Sequence, residues 1–170
     1  MTDSSLSPTY DALALGLVAG APACPVCHES VVRVGTDVQE IAAVAAALRD
    51  HDERYLQRVF TSQEIDASTG GTTTTAAGLN ASATASLAGR YAVKEATIKA
   101  LRPVHTGVPW PDIEVVRQPG GWCTLELHGV ALRLASTSNL SHWSASFAHD
   151  GLVAVATVIS LHTCGHVRPS

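Results

Sequence analysis

The chain has little of what would mark several broad protein classes. Aromatic residues make up only 5% of its 170 residues, with two Phe, three Tyr and three Trp. Its core must therefore rest on Ala, Val, Leu and Ile. Charged residues are scarce at 15%, and the net charge is −4. Nucleic-acid binding is not indicated, because it usually shows as a basic domain or stripe. No apolar run approaches the ~20 residues of a membrane-spanning helix. The opening MTDSSLSPTYDALALGLVAG carries Asp3 and no basic stretch, so it reads poorly as a secretory signal. The expected location is the cytoplasm. There are four cysteines, Cys24, Cys27, Cys123 and Cys164. Without an export signal, disulfides are not the first expectation for them.

What is present is a 46% hydrophobic chain, which suits one globular domain. Residues 1–30 are rich in Ser, Pro, Ala and Gly and read as a poorly ordered extension. The domain is expected over 31–162, with a tail at 163–170. The β-branched stretch 31–38 (VVRVGTDV) predicts a strand. Ala-rich residues 39–50 predict a helix. Asp52 can cap a second helix that ends near Phe60 and Thr61. Residues 62–64 suggest a short turn. The Gly/Thr-rich stretch 68–82 reads as a loop.

The longest helix is expected from about 83 to 102, where Leu87, Tyr91, Ile98 and Leu101 recur at helical spacing. Pro103 stops it. The remainder predicts strands at 112–117, 122–127, 143–148 and 152–159, with turns at 118–121 and at Asp150-Gly151. Residues 130–135 suit either a strand or a short helix. This order predicts an α+β fold, an antiparallel sheet packed on one long helix.

Three separated elements carry candidate chemistry: Gly35-Thr36-Asp37 at the first strand, the helix 87–101, and Phe147–Gly151 at a hairpin tip. Glu95 and Lys99 stand four residues apart and share a helix face, which alone suits an ordinary solvated ion pair. Asp37 alone suits a helix cap, and His149 alone suits a solvated turn.

Taken together, the chain resembles the holo-(acyl carrier protein) synthases of the 4′-phosphopantetheinyl transferase superfamily. The resemblance runs in order through Gly35-Thr36-Asp37, the segment ERYLQRVFTSQE at 53–64, the helix motif Gly89-Arg90-Tyr91-Ala92-Val93-Lys94-Glu95-Ala96 followed by Lys99, and the strands SASFAHDGLVAVATVI at 144–159. The sequence departs from the family at Ala148, where a Ser or Thr usually precedes the His. Loop 68–82 lacks the usual charge, and residues 1–30 exceed the family's minimal length.

The resemblance implies transfer of 4′-phosphopantetheine from coenzyme A to a carrier-protein serine, releasing 3′,5′-ADP. It implies Asp37 and Glu95 as Mg²⁺ ligands, a hard cation that typically takes one or two carboxylates plus substrate phosphates. Glu95 is the implied base, directly or through a water, with Lys99 stabilising charge on the phosphates. Arg90, Lys94 and His149 are implied at the coenzyme A nucleotide and phosphates. Arg54 and Arg58 are implied to face an acidic carrier of fatty acid, polyketide or peptide type. A homotrimer with sites between subunits is implied as well. A catalytically silent homologue that binds coenzyme A or a carrier is the alternative, and the survival of Asp37, Glu95 and Lys99 argues against it. Cys24, Cys27, Cys164 and His166, with His162 nearby, could supply soft zinc ligands. A single CxxC pair carries that idea weakly.

Overall fold

The computed structural model describes residues 32–71 and 76–163. The expected extension, Cys24, Cys27, Cys164 and His166 all lie outside these residues. Strand β1 (Val32–Glu40) leads into helix α1 (Ile41–Val59) and then α2 (Ser62–Thr69). The long helix α3 (Ala81–Leu101) follows. Strands β2 (Ile113–Arg117) and β3 (Cys123–Leu127), helix α4 (Gly129–Thr137), and strands β4 (Leu140–His149) and β5 (Val153–His162) come next among the described residues. The five strands form one antiparallel sheet in the order β1-β5-β4-β3-β2. The α+β class with a long helix against an antiparallel sheet is therefore as the sequence predicts.

Local chemistry explains the boundaries. The two expected helical runs around residue 52 exist as α1, broken at Asp52, whose φ of 47° and ψ of −134° are not helical. The expected turn at 62–64 is instead a full helix. Thr61 caps α2 by accepting from the Glu64 N–H, while the Glu64 carboxylate accepts from the Thr61 N–H. Asn80 caps α3 by accepting from the Ala83 N–H, so the helix starts slightly earlier than the pattern predicts. The ambiguous run at 130–135 is helical, and the Asp112 carboxylate accepts from the Val130 N–H at its start.

Helix α3 is buried on more sides than one stripe allows, with Leu87, Ala88, Ala92, Val93, Ala96 and Ala100 all essentially inaccessible. Its alanines let it lie close to the sheet. Across β5, Ala154, Ala156 and Val158 point into the core, while Val155, Ile159 and Leu161 point away. On β1, Val34 and Val38 are exposed and pair with Ile159 and Val155 of β5. The sheet face opposite α3 thus carries an exposed apolar strip, with Val38 63% exposed. No helix among the described residues is long and apolar enough to cross a membrane.

Candidate active site

Two glycines set the positions of the functional strands. A Cβ at Gly35 would lie 1.8 Å from the Ala96 carbonyl oxygen of α3. No side chain fits there, so β1 crosses the helix in backbone contact. A Cβ at Gly89 would lie 2.3 Å from the Phe147 ring of β4. Both glycines belong to the motifs singled out in the sequence, and both serve close approach.

The contact at Gly35 sets Asp37 on the helix side of the sheet, two residues further along β1. There Lys99 of α3 donates to Asp37 Oδ1 at 2.8 Å and to the Thr36 carbonyl at 2.9 Å. One turn before Lys99, the half-buried Glu95 accepts from the Tyr91 hydroxyl through Oε1 at 3.3 Å. Burial raises the Tyr91 phenol to about 12, and the carboxylates of Glu95 and Asp37 add to the rise. Asp37, Glu95, Lys99 and Tyr91 therefore form one electrostatic neighbourhood. Its donor set suits a hard divalent cation, which takes carboxylate oxygens together with substrate phosphates. The two carboxylates fit Mg²⁺.

A second group lies around Arg90. A cleft of about 640 Å³ is lined by Arg90, Arg117, His149, Ser86, Cys123 and Trp122, among others. Arg90 donates to the Ser86 hydroxyl at 2.6 Å, and its buried Nε has no partner. Burial pushes the guanidinium pKa down, and the Glu64 carboxylate opposes that shift. A buried cation with an unpaired donor beside a polar cleft suits an anionic ligand. His149 joins Arg90 here. Asp37, Glu95 and Lys99 do not line this cleft. Arg90 and Glu95 are five residues apart, roughly 140° around the helix.

Lys94 is placed differently from the sequence expectation. It is completely buried. Its ammonium pairs with Glu64 Oε2 at 2.8 Å and donates to the Trp110 carbonyl at 3.0 Å and to the Ile113 carbonyl. These three partners use all three of its N–H donors. Burial pushes its pKa down, while Glu64 holds it up. Glu64, which the sequence reading left without a role, also accepts from the Val115 N–H at 3.0 Å. The Thr61-x-x-Glu64 capping pattern was the readable signal for it.

Arg54 and Arg58 stand one turn apart on the exposed side of α1. His162 is buried and its Nδ1 lies 3.0 Å from the Ser138 carbonyl oxygen. The remaining zinc candidates fall outside the described residues. Glu114, Glu126 and His128 bring three ligand-type atoms within 4.8 Å of one another. Glu114 is already engaged by the Thr61 hydroxyl at 2.9 Å and by His128 at 3.2 Å.

Residues 33–157 match the 4′-phosphopantetheinyl transferase superfamily. The chain belongs to that superfamily. A holo-[acyl-carrier-protein] synthase of Rhodopirellula baltica is 35% identical over 130 residues, spanning 76% of this chain and 97% of the relative. That of Beutenbergia cavernae is 36% identical with the same coverage. The solved ACPS–CoA complex of Chronobacterium ammoniagenes superposes with a TM-score of 0.65 at 29% identity, covering 78% of this chain and 98% of that one. The matched span contains both glycines, the Asp37–Lys99 pair, Glu95 and the Arg90 cleft.

Proposed function

We propose that this transferase moves 4′-phosphopantetheine from coenzyme A to a serine of an apo acyl carrier protein, as a Mg²⁺-dependent holo-[acyl-carrier-protein] synthase of the cytoplasm. The observation that carries this reading is the Gly35 contact, which holds Asp37 against the helix that bears both Glu95 and its ion-pair partner Lys99. Membership of the superfamily supports the same reaction.

In this reading Asp37 and Glu95 hold the cation. When bound there, Mg²⁺ supplies positive charge that polarises the pyrophosphate and offsets charge on the leaving group. Glu95 takes the proton from the carrier serine hydroxyl, a poor nucleophile without a base. The serine oxygen forms a bond to the β-phosphorus of coenzyme A. The bond from that phosphorus to the oxygen bridging toward the adenosine end breaks, and 3′,5′-ADP leaves. Lys99, half exposed beside Asp37, stabilises charge gathering on the phosphate oxygens. Arg90 and His149 bind the nucleotide end. Arg54 and Arg58 steer the acidic carrier, a role that suits local positive charge on a net-acidic protein.

The same reading places the sites between subunits of a homotrimer. The separation of the carboxylates from the Arg90 cleft supports this, since a neighbour's cleft could complete the site. The exposed strip of Val34, Val38, Val155, Ile159 and Leu161 is a suitable surface for such contact. Incubation with coenzyme A, Mg²⁺ and a panel of apo carriers tests the function. One carrier should gain the mass of one phosphopantetheine, only with both additions present. No gain on any carrier, despite measurable coenzyme A binding, would overturn the reading.

A further inference from the structure

We infer that Tyr91 is a positioning residue for Glu95, setting the direction in which that carboxylate meets the cation. The inference rests on the proposed role of Glu95 and goes beyond it. Tyr91 and Glu95 are four residues apart on α3, so the phenol lies over the carboxylate. Its hydroxyl donates to Oε1. Among the described residues, that is the only hydrogen bond or ion pair of the Glu95 carboxylate. Lys99, which could compete, is turned to Asp37 and Thr36 instead. Thus Lys99 holds one carboxylate of the pair and Tyr91 the other.

The phenol is itself held. Its ring packs against Trp110 with centroids 5.0 Å apart and a 37° tilt. The Trp110 carbonyl in turn accepts from buried Lys94. A line of contacts therefore runs from the Lys94–Glu64 pair through Trp110 and Tyr91 to Glu95. With Oε1 occupied by the phenol, Oε2 has no hydrogen bond within the described chain. Groups that orient a metal ligand in this way commonly matter to affinity by ~10–100-fold. A single neutral donor at 3.3 Å belongs at the lower end of that range.

The test uses Mn²⁺ binding, followed by electron paramagnetic resonance on the full chain with 3′,5′-ADP present. Tyr91→Phe keeps the ring and its packing on Trp110, so its thermal midpoint should stay close to wild type. Its half-saturating Mn²⁺ concentration should rise about tenfold, and the Mg²⁺ dependence of transfer should shift in parallel. In a Glu95→Asp background the carboxylate is drawn back from the phenol, and Tyr91→Phe should add no further loss. Mn²⁺ affinity of Tyr91→Phe within about twofold of wild type, or an equal loss in the Glu95→Asp background, would overturn the inference while leaving the proposed reaction intact. A wild-type chain that neither binds Mn²⁺ nor loads a carrier would overturn both.

Discussion

Lys94→Met separates two roles for a lysine that the family resemblance assigns to the coenzyme A phosphates. In the structure its ammonium is fully buried against Glu64 and two backbone carbonyls. Methionine fills similar space and removes the charge. The Glu64 carboxylate then stays buried with only the Thr61 and Val115 N–H groups to solvate it. Breaking a buried pair by removing one partner costs about 3–5 kcal/mol. The carbonyls of Trp110 and Ile113 also lose a donor, at about 1 kcal/mol each, so the upper half of that range is expected. For a chain of this size the thermal midpoint should fall by about 10–15 °C. Urea unfolding measures the loss directly. Adding Glu64→Gln should recover at least about 2 kcal/mol relative to the sum of the single variants. Coenzyme A affinity of the folded fraction should be nearly unchanged. A Lys94→Met protein as stable as wild type, with weakened coenzyme A binding, would refute the structural role and restore the phosphate role.

Other consequences are equally concrete. Gly35→Ala puts a methyl into the Ala96 carbonyl, so it should destabilise by about 3 kcal/mol and reduce transfer through displacement of Asp37; chemical unfolding and a rate assay check both. Gly89→Ala meets the Phe147 ring, a side chain that can shift, so its measured loss should be smaller than that of Gly35→Ala. Asp52→Gly relieves a positive-φ backbone at the α1 break and should stabilise by about 1 kcal/mol, read by the same unfolding titration. Arg90→Ala should weaken 3′,5′-ADP binding by calorimetry at least tenfold if its unpaired Nε serves the anion; unchanged binding would remove it from the site.

Much of the fold was legible because its signals are local. Strand β1, the hairpin at Asp150-Gly151 and the long helix each carry their own pattern of β-branching, turn residues or helical spacing. The break at Asp52 was legible for the same reason, as the joint between two helical runs. Residues 130–135 stayed ambiguous because a short apolar run suits either a strand or a helix, and a tertiary contact decides it. Here the deciding contact is the Asp112 carboxylate on the Val130 N–H, eighteen residues away.

The site divides in the same way. Asp37, Glu95 and Lys99 could be picked out by motif, and Lys99 does meet Asp37. The Lys94–Glu64 pair was not legible, because the sequence does not state that Glu64, thirty residues earlier, reaches Lys94 across the core. The split between the carboxylates and the Arg90 cleft was half legible, since five residues of helix turn Arg90 roughly 140° from Glu95. What lines the cleft follows from where the sheet sets β3 and β4 around α3, which no local pattern encodes.

The most direct test of the central claim is carrier loading by wild type and Glu95→Gln side by side, followed by intact-mass measurement with coenzyme A and Mg²⁺. Circular dichroism confirms that both are folded. Wild type should convert apo carrier to the phosphopantetheinylated form, and Glu95→Gln should leave it apo. Loading by Glu95→Gln at close to the wild-type rate would contradict the account, because the carboxylate on α3 would then be dispensable to the transfer.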